Sequence, residues 1–189
     1  MKKLSIIVSA FLVLTAFTTI KPWTNDKPHS QLGFTVTHLG ISDVSGTFND
    51  FHATVVSEKP DFSDAVFELK ANVASLDTRV EARNNHLKSA DFFDAEKFPA
   101  LTFKSTSIKK VSDNKYKLTG DLTLHGITKQ VIMDLNYNGT IQNPMSKKPT
   151  VGFQITGVIK RSDFALGEKF PAPMISDEVR IKADGEFAQ

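Results

Sequence analysis

Downstream of Trp23 the chain alternates between apolar and polar residues, the pattern of β-strands that bury one face. The clearest case is DEVRIKADGEF, residues 177–187. From Val179 to Phe187 its odd-numbered positions are apolar or small, and the positions between them are charged. Such a segment is typical of a half-buried antiparallel strand. The same alternation recurs at residues 65–73, 116–124, 131–137 and 151–159.

The alternating segments predict the fold class. With LTFKSTSI, which starts at Leu101, the strands number about eight. Between residues 47 and 56 the alternation slips, because Phe48 and Phe51 are three positions apart, and this predicts a bulge near Asn49 and Asp50. Turn signals occur at residues 113–114, 125–126, 138–139 and 143–149. We therefore expect an all-β fold of antiparallel strands, either a closed up-and-down barrel or a two-sheet sandwich.

One segment departs from this alternation. DTRVEARNNHLKSADFF, residues 77–93, has Thr78 three positions before Glu81, the spacing of a capping box. Apolar and polar positions then recur at helical intervals up to Leu87. The segment predicts one short helix over residues 79–88, followed by irregular structure.

The N-terminus has the pattern of a targeting signal. Lys2 and Lys3 precede an apolar run over residues 4–17. The run is short of the ~20 apolar residues that a membrane span requires. We therefore expect residues 1–20 to be a secretory signal peptide, with an uncleaved anchor as the alternative. Residues 21–189 are expected to form a single domain, and the mature protein to be periplasmic or secreted.

Charge and composition exclude several functions. The chain has 23 Lys and Arg residues against 21 Asp and Glu. Loss of Lys2 and Lys3 with the signal peptide makes the remainder formally neutral, so a nucleic-acid partner is not expected. The chain contains no cysteine, which rules out disulfides and thiolate chemistry.

Catalytic and metal-binding motifs are not found. The five histidines lack the close spacing of a metal site, and no nucleophile elbow, phosphate-binding loop or dinucleotide fingerprint occurs. We predict no catalytic residue, no metal ligand and no cofactor. A dispersed acid–base pair, such as His38 with Asp91 or Glu81, is the alternative that motif absence leaves open.

The interior of an eight-stranded barrel can be filled by side chains or can hold one small ligand. Phenylalanines such as Phe34 and Phe103 lie on inward positions and favour a filled core. Small residues such as Gly120 and Gly157 lie on the same face and leave room. In QLGFTVTH, residues 31–38, the apolar face ends in His38, which fits a polar group at a cavity mouth, a core histidine or a catalytic residue.

Four blocks occur together in the order and spacing of a known family: HSQLGFTVTHLGISDVSGTFNDF, SLDTRVEARNNHLKSADFFDAEKFPALTFKSTSI, GDLTLHGITKQV and GFQITGVIKRSDFALG. On these blocks, over about residues 23–187, the chain resembles the YceI-like lipid/polyisoprenoid-binding family. The resemblance implies an eight-stranded antiparallel lipocalin-like barrel with an apolar channel for an isoprenoid or similar amphiphile. It also implies an exported protein, often a homodimer, without metal or redox cofactor.

Carried over by position, the resemblance implies ligand contacts from His38, from Arg83 and His86 on the helix, and from the inward phenylalanines. In the alternative, Arg83 pairs with a carboxylate and His86 caps carbonyl groups. With the apolar neighbours included, the predicted ligand-binding residues are Leu32, Phe34, Val36, His38, Phe48, Phe67, Leu69, Arg83, His86, Leu87, Phe92, Phe103, Leu122, Phe153, Ile155 and Phe164.

The sequence thus predicts a carrier that shields a long-chain isoprenoid or another amphiphilic lipid from water and touches a membrane surface transiently. A lipid-modifying enzyme on the same barrel and an export-stress protein with a filled core are the alternatives.

Overall fold

Ten strand segments and one α-helix form the fold in the computed structural model, which describes residues 21–189. The predicted signal peptide, residues 1–20, lies outside the described residues. Helix α1 is Glu81–Lys88, and single 3-10 turns occur at Val73–Ser75 and Arg161–Phe164. The strands are β1 Trp23–His38, β2 Ser42–Phe48, β3 Phe51–Val56, β4 Val66–Asn72, β5 Leu76–Asp77, β6 Ala100–Ser112, β7 Lys115–Leu124, β8 Ile127–Gln142, β9 Pro149–Lys160 and β10 Ile175–Ala188.

These segments make eight barrel strands, because two of the strands are interrupted. β2 and β3 both pair with β1 and are separated at Asn49 and Asp50, where the sequence predicts a bulge. β4 and β5 continue each other in the same way along β3 and β2. Antiparallel pairing of β10 with β1 closes the sheet. The fold is therefore the closed eight-stranded barrel and not the two-sheet sandwich.

The turn predicted at Asn138 and Gly139 is wrong. β8 continues through both residues to Gln142, and the pairing with β9 shifts by one residue between Tyr137 and Gly139. Gly139 has a φ of +120°, which L side chains rarely adopt, so the Asn-Gly signal marks a bulge within the strand and not a hairpin.

Helix α1 begins two residues later than predicted, and the capping box does not form. Val80 occupies the N-cap position and makes no side-chain capping bond. Arg79 has a left-handed φ of 65°, which is incompatible with a helical turn. The Thr78 hydroxyl is buried and bonded elsewhere, so it does not cap the helix.

Within residues 21–189 no helix is long and apolar enough to cross a membrane.

One end of the barrel is filled by aromatic rings. Phe62 and Phe67 each meet the ring of Phe153 edge to face, with centroids 5.0 Å and 5.1 Å apart. Edge-to-face contacts of this kind stabilise aromatic clusters beyond their buried area. We call this cluster the aromatic plug, and its rings are Trp23, Phe62, Phe67, Tyr137, Phe153 and Phe187.

The other end, where β1 ends and β10 begins, is the mouth. Two long connections lie there, residues 73–99 and residues 161–174, and the first carries α1. The β1–β2 turn lies at the same end, where the Leu39 amide donates to the Met174 carbonyl at 3.1 Å. The connections at the plug end contain no helix.

Candidate functional site

A cavity of about 480 Å³ lies between the aromatic plug and the mouth. Its size falls within the range of ~300–1,000 Å³ that is usual for small-molecule sites. Phe67, Phe153 and Phe187 of the plug form its floor, and apolar side chains from most of the strands form its wall. The barrel is therefore filled at one end and hollow at the other.

All of the residues predicted from the sequence to contact ligand line this cavity, except Phe164. The apolar members on the strands are Leu32, Phe34, Val36, Phe48, Phe67, Leu69, Phe103, Leu122, Phe153 and Ile155. His38, Arg83, His86, Leu87 and Phe92 lie toward the mouth.

Phe164 is placed elsewhere. It lies in the 3-10 turn that follows β9, its ring is 1% exposed, and it belongs to the buried core cluster with Leu124 and Leu166. The strand alternation ends at Lys160, so the inward phase no longer applies to this residue. Its carbonyl lies 3.0 Å from Nδ1 of His125. His125 is half-buried, although its place in a turn suggests an ordinary surface residue.

The wall includes residues that the predicted set omits. Val179, Ile181 and Ala183 lie on the inward phase of β10, so alternation alone could have found them. Phe170 and Met174 lie in the connection between β9 and β10, where no periodic pattern marks them. Other wall residues outside the predicted set include Phe51, Phe93, Leu101, Leu124, Met133, Ile159, Leu166 and Ile175.

Arg83 is held at the mouth by Thr78. Its Nε donates to the Thr78 hydroxyl and its Nη2 to the Thr78 carbonyl, both at 2.8 Å. The Thr78 hydroxyl donates to Oδ1 of Asn84 at 2.6 Å, and Asn84 donates to Asp77 at 2.8 Å. Arg83 thus binds no carboxylate, and its Nη1 has no hydrogen-bond partner among residues 21–189.

Side chains of the two long connections meet at the mouth. The rings of Phe92 and Phe170 stack with centroids 5.0 Å apart, and His86 lies edge-on to both. Lys169 donates to Asp91 at 2.6 Å, and Nε2 of His86 lies 3.5 Å from Asp91. The hydrogen bond from Lys169, with a smaller effect of His86, lowers the pKa of Asp91. We call these five residues the mouth clasp.

Arg161 is buried and fixes the second connection. All of its guanidinium nitrogens donate to backbone carbonyl groups, so no donor remains for a ligand. The five acceptors are the carbonyl oxygens of Leu166, Gly167, Phe170, Ile175 and Ser176.

His38 lies at the mouth, exposed at the last position of β1. Its ring makes no hydrogen bond within residues 21–189, and Asp91 is bonded to Lys169 and His86 instead. The acid–base pair considered for His38 and Asp91 is therefore not assembled. This position fits a polar group at a cavity mouth better than a core histidine.

One group of metal-ligating side chains comes together in the described part of the chain: Asp26, His29 and Glu186. None of the three lines the cavity. His29 and Asp26 are hydrogen-bonded at 2.9 Å, and this bond raises the pKa of His29. An ordinary surface ion pair accounts for their proximity.

Known proteins are similar to this chain in sequence and in fold. A UPF0312 protein of Staphylococcus aureus strain N315 is 35% identical over 170 residues, which cover 88% of this chain and 96% of the relative. The crystal structure of Burkholderia cenocepacia BcnA superposes with a TM-score of 0.75 at 28% identity, over 86% of this chain and 98% of that one.

A polyisoprenoid binding domain from Saccharophagus degradans has the same fold. It superposes with a TM-score of 0.68 at 14% identity, over 90% of this chain and 99% of that domain. The family model of the YceI-like domain matches residues 23–187, nearly the whole described chain. The resemblance seen in the four sequence blocks is thus confirmed, and the chain belongs to the YceI-like family.

Proposed function

We propose that this chain is an exported lipid-binding protein that holds the tail of a long-chain isoprenoid or a similar amphiphile in its cavity. The observation that carries the proposal is the cavity itself: about 480 Å³, apolar along its wall and floor, with polar side chains at its mouth. The Saccharophagus degradans domain that shares the fold is a polyisoprenoid binding domain, which supports the same ligand class.

Transfer energies favour a long tail. Each buried methylene contributes ~0.8 kcal/mol, whereas association costs about 4–15 kcal/mol. A tail of ten carbons therefore gains roughly 8 kcal/mol, which is too little for tight binding unless the head group also makes contacts. Polyprenyl and quinone tails meet this requirement better than short acids.

The head group is assigned to the mouth. Arg83 offers its unpaired Nη1, and His38 and His86 are exposed residues that line the same cavity. These three side chains suit an anionic head group such as a phosphate, because charged hydrogen bonds to guanidinium are among the strongest in proteins. The wall phenylalanines then supply affinity with little chemical discrimination.

Contact with a membrane surface is assigned to the β1–β2 turn at the mouth. Leu39 and Ile41 are 53% and 84% exposed, and Met174, also exposed, is hydrogen-bonded to the turn. These apolar side chains can bind the bilayer surface and so hold the opening of the cavity against the bilayer, where the proposed ligand resides. The ligand then moves between bilayer and cavity with little exposure to water.

Native mass spectrometry tests the function and the export. Protein purified gently from the exported fraction is expected to carry one amphiphile per chain, which extraction returns chemically intact. Its intact mass is expected to lack residues 1–20. A chain that brings no stoichiometric lipid contradicts the carrier, and a lipid returned chemically altered contradicts a binding role in favour of an enzyme.

A further inference from the structure

Large side chains on the cavity wall lie over glycines of neighbouring strands. Phe34 pairs directly with Gly46 across β1 and β2, and a β-carbon added to Gly46 would lie 2.5 Å from Cζ of the Phe34 ring. The ring of Phe103 on β6 covers Gly120 on β7 in the same way. At both glycines an added β-carbon would lie closer to the ring than real β-carbons lie to their neighbours. Each ring therefore occupies the space that a side chain at the glycine would need.

A third pair has the same arrangement with a thioether. Met133 on β8 lies over Gly157 on β9, and a β-carbon at Gly157 would collide with its sulfur atom. The three atoms nearest to that position all belong to Met133. Glycine weakens the interior of a strand and often marks a close approach of another group, which is what all three positions show.

These pairs explain why the barrel is hollow where it is. Phe34, Phe103 and Met133 all line the cavity, yet their ends rest against the wall and not across the barrel axis. In the aromatic plug, by contrast, phenylalanine rings meet edge to face and fill the interior, whereas Phe34 meets the ring of Phe48 at 5.8 Å along the wall of a cavity that stays open. The same residue type therefore closes the barrel at one end and leaves it open at the other.

We infer that Gly46, Gly120 and Gly157 determine the bore of the cavity and hence which tails it accepts. Any side chain at these glycines narrows the bore by pushing Phe34, Phe103 or Met133 toward the axis. The inference about which lipid tails bind rests on the proposed function, whereas the inference that the three glycines control the cavity size does not.

The test substitutes two of the glycines. Gly46→Ala and Gly157→Ala are expected to weaken binding of parinaric acid, a fluorescent single-chain fatty acid, by about tenfold or more, because overpacking closes the bore. Gly152→Ala is the matched control: it makes the same change on β9 at a glycine that does not line the cavity, where the nearest atom is Cβ of Asn138 at 3.3 Å, and binding should not change. Gly120 is unsuited, because its added β-carbon also meets a backbone carbonyl.

A double-mutant cycle identifies the cause. In a Phe34→Leu background, Gly46→Ala should have a smaller further effect on the dissociation constant, since the shorter side chain no longer covers the glycine while the Thr78 methyl group, 2.9 Å from the added β-carbon, remains in the way. Equal effects of Gly46→Ala in both backgrounds overturn the inference. If Gly46→Ala does not fold, Gly157→Ala with Met133→Ala gives the same cycle, because the atoms nearest to the added β-carbon all belong to Met133.

A ligand-free crystal structure separates this inference from the proposed function. In the Gly46→Ala variant the Phe34 ring should move toward the axis, and the cavity should be smaller than about 480 Å³. An unchanged cavity overturns the inference. If the cavity shrinks but the unaltered protein binds no single-chain probe, the lipid-binding proposal fails and the role of the glycines stands.

Discussion

Arg83 and Arg161 both line the cavity near its mouth, but their guanidinium groups have different surroundings. Arg161 is buried and gives every donor to backbone carbonyl groups, so its role is to hold the connection between β9 and β10 in place. Arg83 donates hydrogen bonds from Nε and Nη2 to Thr78, and its Nη1 has no hydrogen-bond partner among the described residues. Only Arg83 is therefore available to an anionic head group.

We predict that Arg83→Ala changes head-group preference more than tail affinity. A charged hydrogen bond contributes ~1.5–3 kcal/mol, so the preference for a polyprenyl phosphate over the matching alcohol should fall about tenfold or more. The measurement is the ratio of the two dissociation constants, which cancels any general loss of stability.

Arg79→Ala is the control for this ratio. Arg79 is exposed, does not line the cavity and carries the same charge four residues earlier. Its removal should leave the ratio unchanged. If Arg83→Ala also leaves it unchanged, Arg83 has no part in head-group recognition.

The β1–β2 turn exposes large apolar side chains beside the mouth. Leu39 and Ile41 have no core to pack against, and the turn is hydrogen-bonded to the end of the connection between β9 and β10. Exposed apolar side chains grouped beside the opening of a cavity are typical of a surface that another surface covers. A bilayer is the surface that fits the proposed ligand.

We predict that the double variant Leu39→Ser/Ile41→Ser binds vesicles of phosphatidylethanolamine and phosphatidylglycerol at least about tenfold more weakly, because each apolar side chain contributes ~1.5–3 kcal/mol when fully buried. Co-sedimentation measures the bound fraction. Met145→Ser, in the β8–β9 turn at the plug end and 92% exposed, is the control. Equal losses in both variants contradict an orientation with the mouth toward the membrane.

The mouth clasp joins two further elements, α1 with its following turn and the connection between β9 and β10. Because the pKa of Asp91 is lowered, its carboxylate remains charged at neutral and mildly acidic pH, and the contact is lost only as the pH falls through that lowered value. The stacked pair Phe92 and Phe170 adds an apolar contact that does not titrate.

We predict that Asp91→Asn speeds release of a bound tail several-fold, because it removes the ion pair with Lys169 and the carboxylate that faces His86 while leaving the stacked rings. Stopped-flow displacement of parinaric acid measures the dissociation rate. Glu168→Gln, an exposed neighbour on the same connection, should not change the rate. An unchanged rate in Asp91→Asn shows that the charged contacts do not restrain the mouth.

Periodic elements were predictable from the sequence, and the connections were not. Alternation alone places Phe34 and Ile155 on the inward face, because strand geometry fixes the direction of every second side chain. It fails for Phe164, which follows the end of β9, and it is silent on Phe170. The capping box failed because the Thr78 hydroxyl is engaged by Arg83 and Asn84, a tertiary interaction that local spacing does not reveal.

Closure of the barrel depends on pairing between β1 and β10, which come from opposite ends of the described chain. Alternation predicts each strand but not its distant partner, which is why the sequence allowed both a barrel and a sandwich. The division of the interior into plug and cavity was equally hidden, because inward phenylalanines fill one end and lie over glycines at the other. The family resemblance, not the periodicity, indicated a cavity.

We predict that Phe153→Ala lowers the free energy of unfolding by about 3–5 kcal/mol, since it removes the ring at the centre of the plug. It should also deepen the cavity floor and shift preference toward longer tails. Urea denaturation and a series of tail lengths measure the two effects.

Phe164→Ala is the matched control, because that ring is equally buried but does not line the cavity. It should destabilise the protein without altering the preferred tail length. A Phe153→Ala variant that loses stability but keeps the original length preference contradicts a plug that sets the depth.

The plug also fixes the route of the proposed ligand. Because the bore is blind at one end, a tail would arrive and depart through the same opening, and the tip that enters first would leave last. On the proposed function the protein is therefore a shuttle and not a conduit: it must turn its opening from the donor surface toward the acceptor before it can unload.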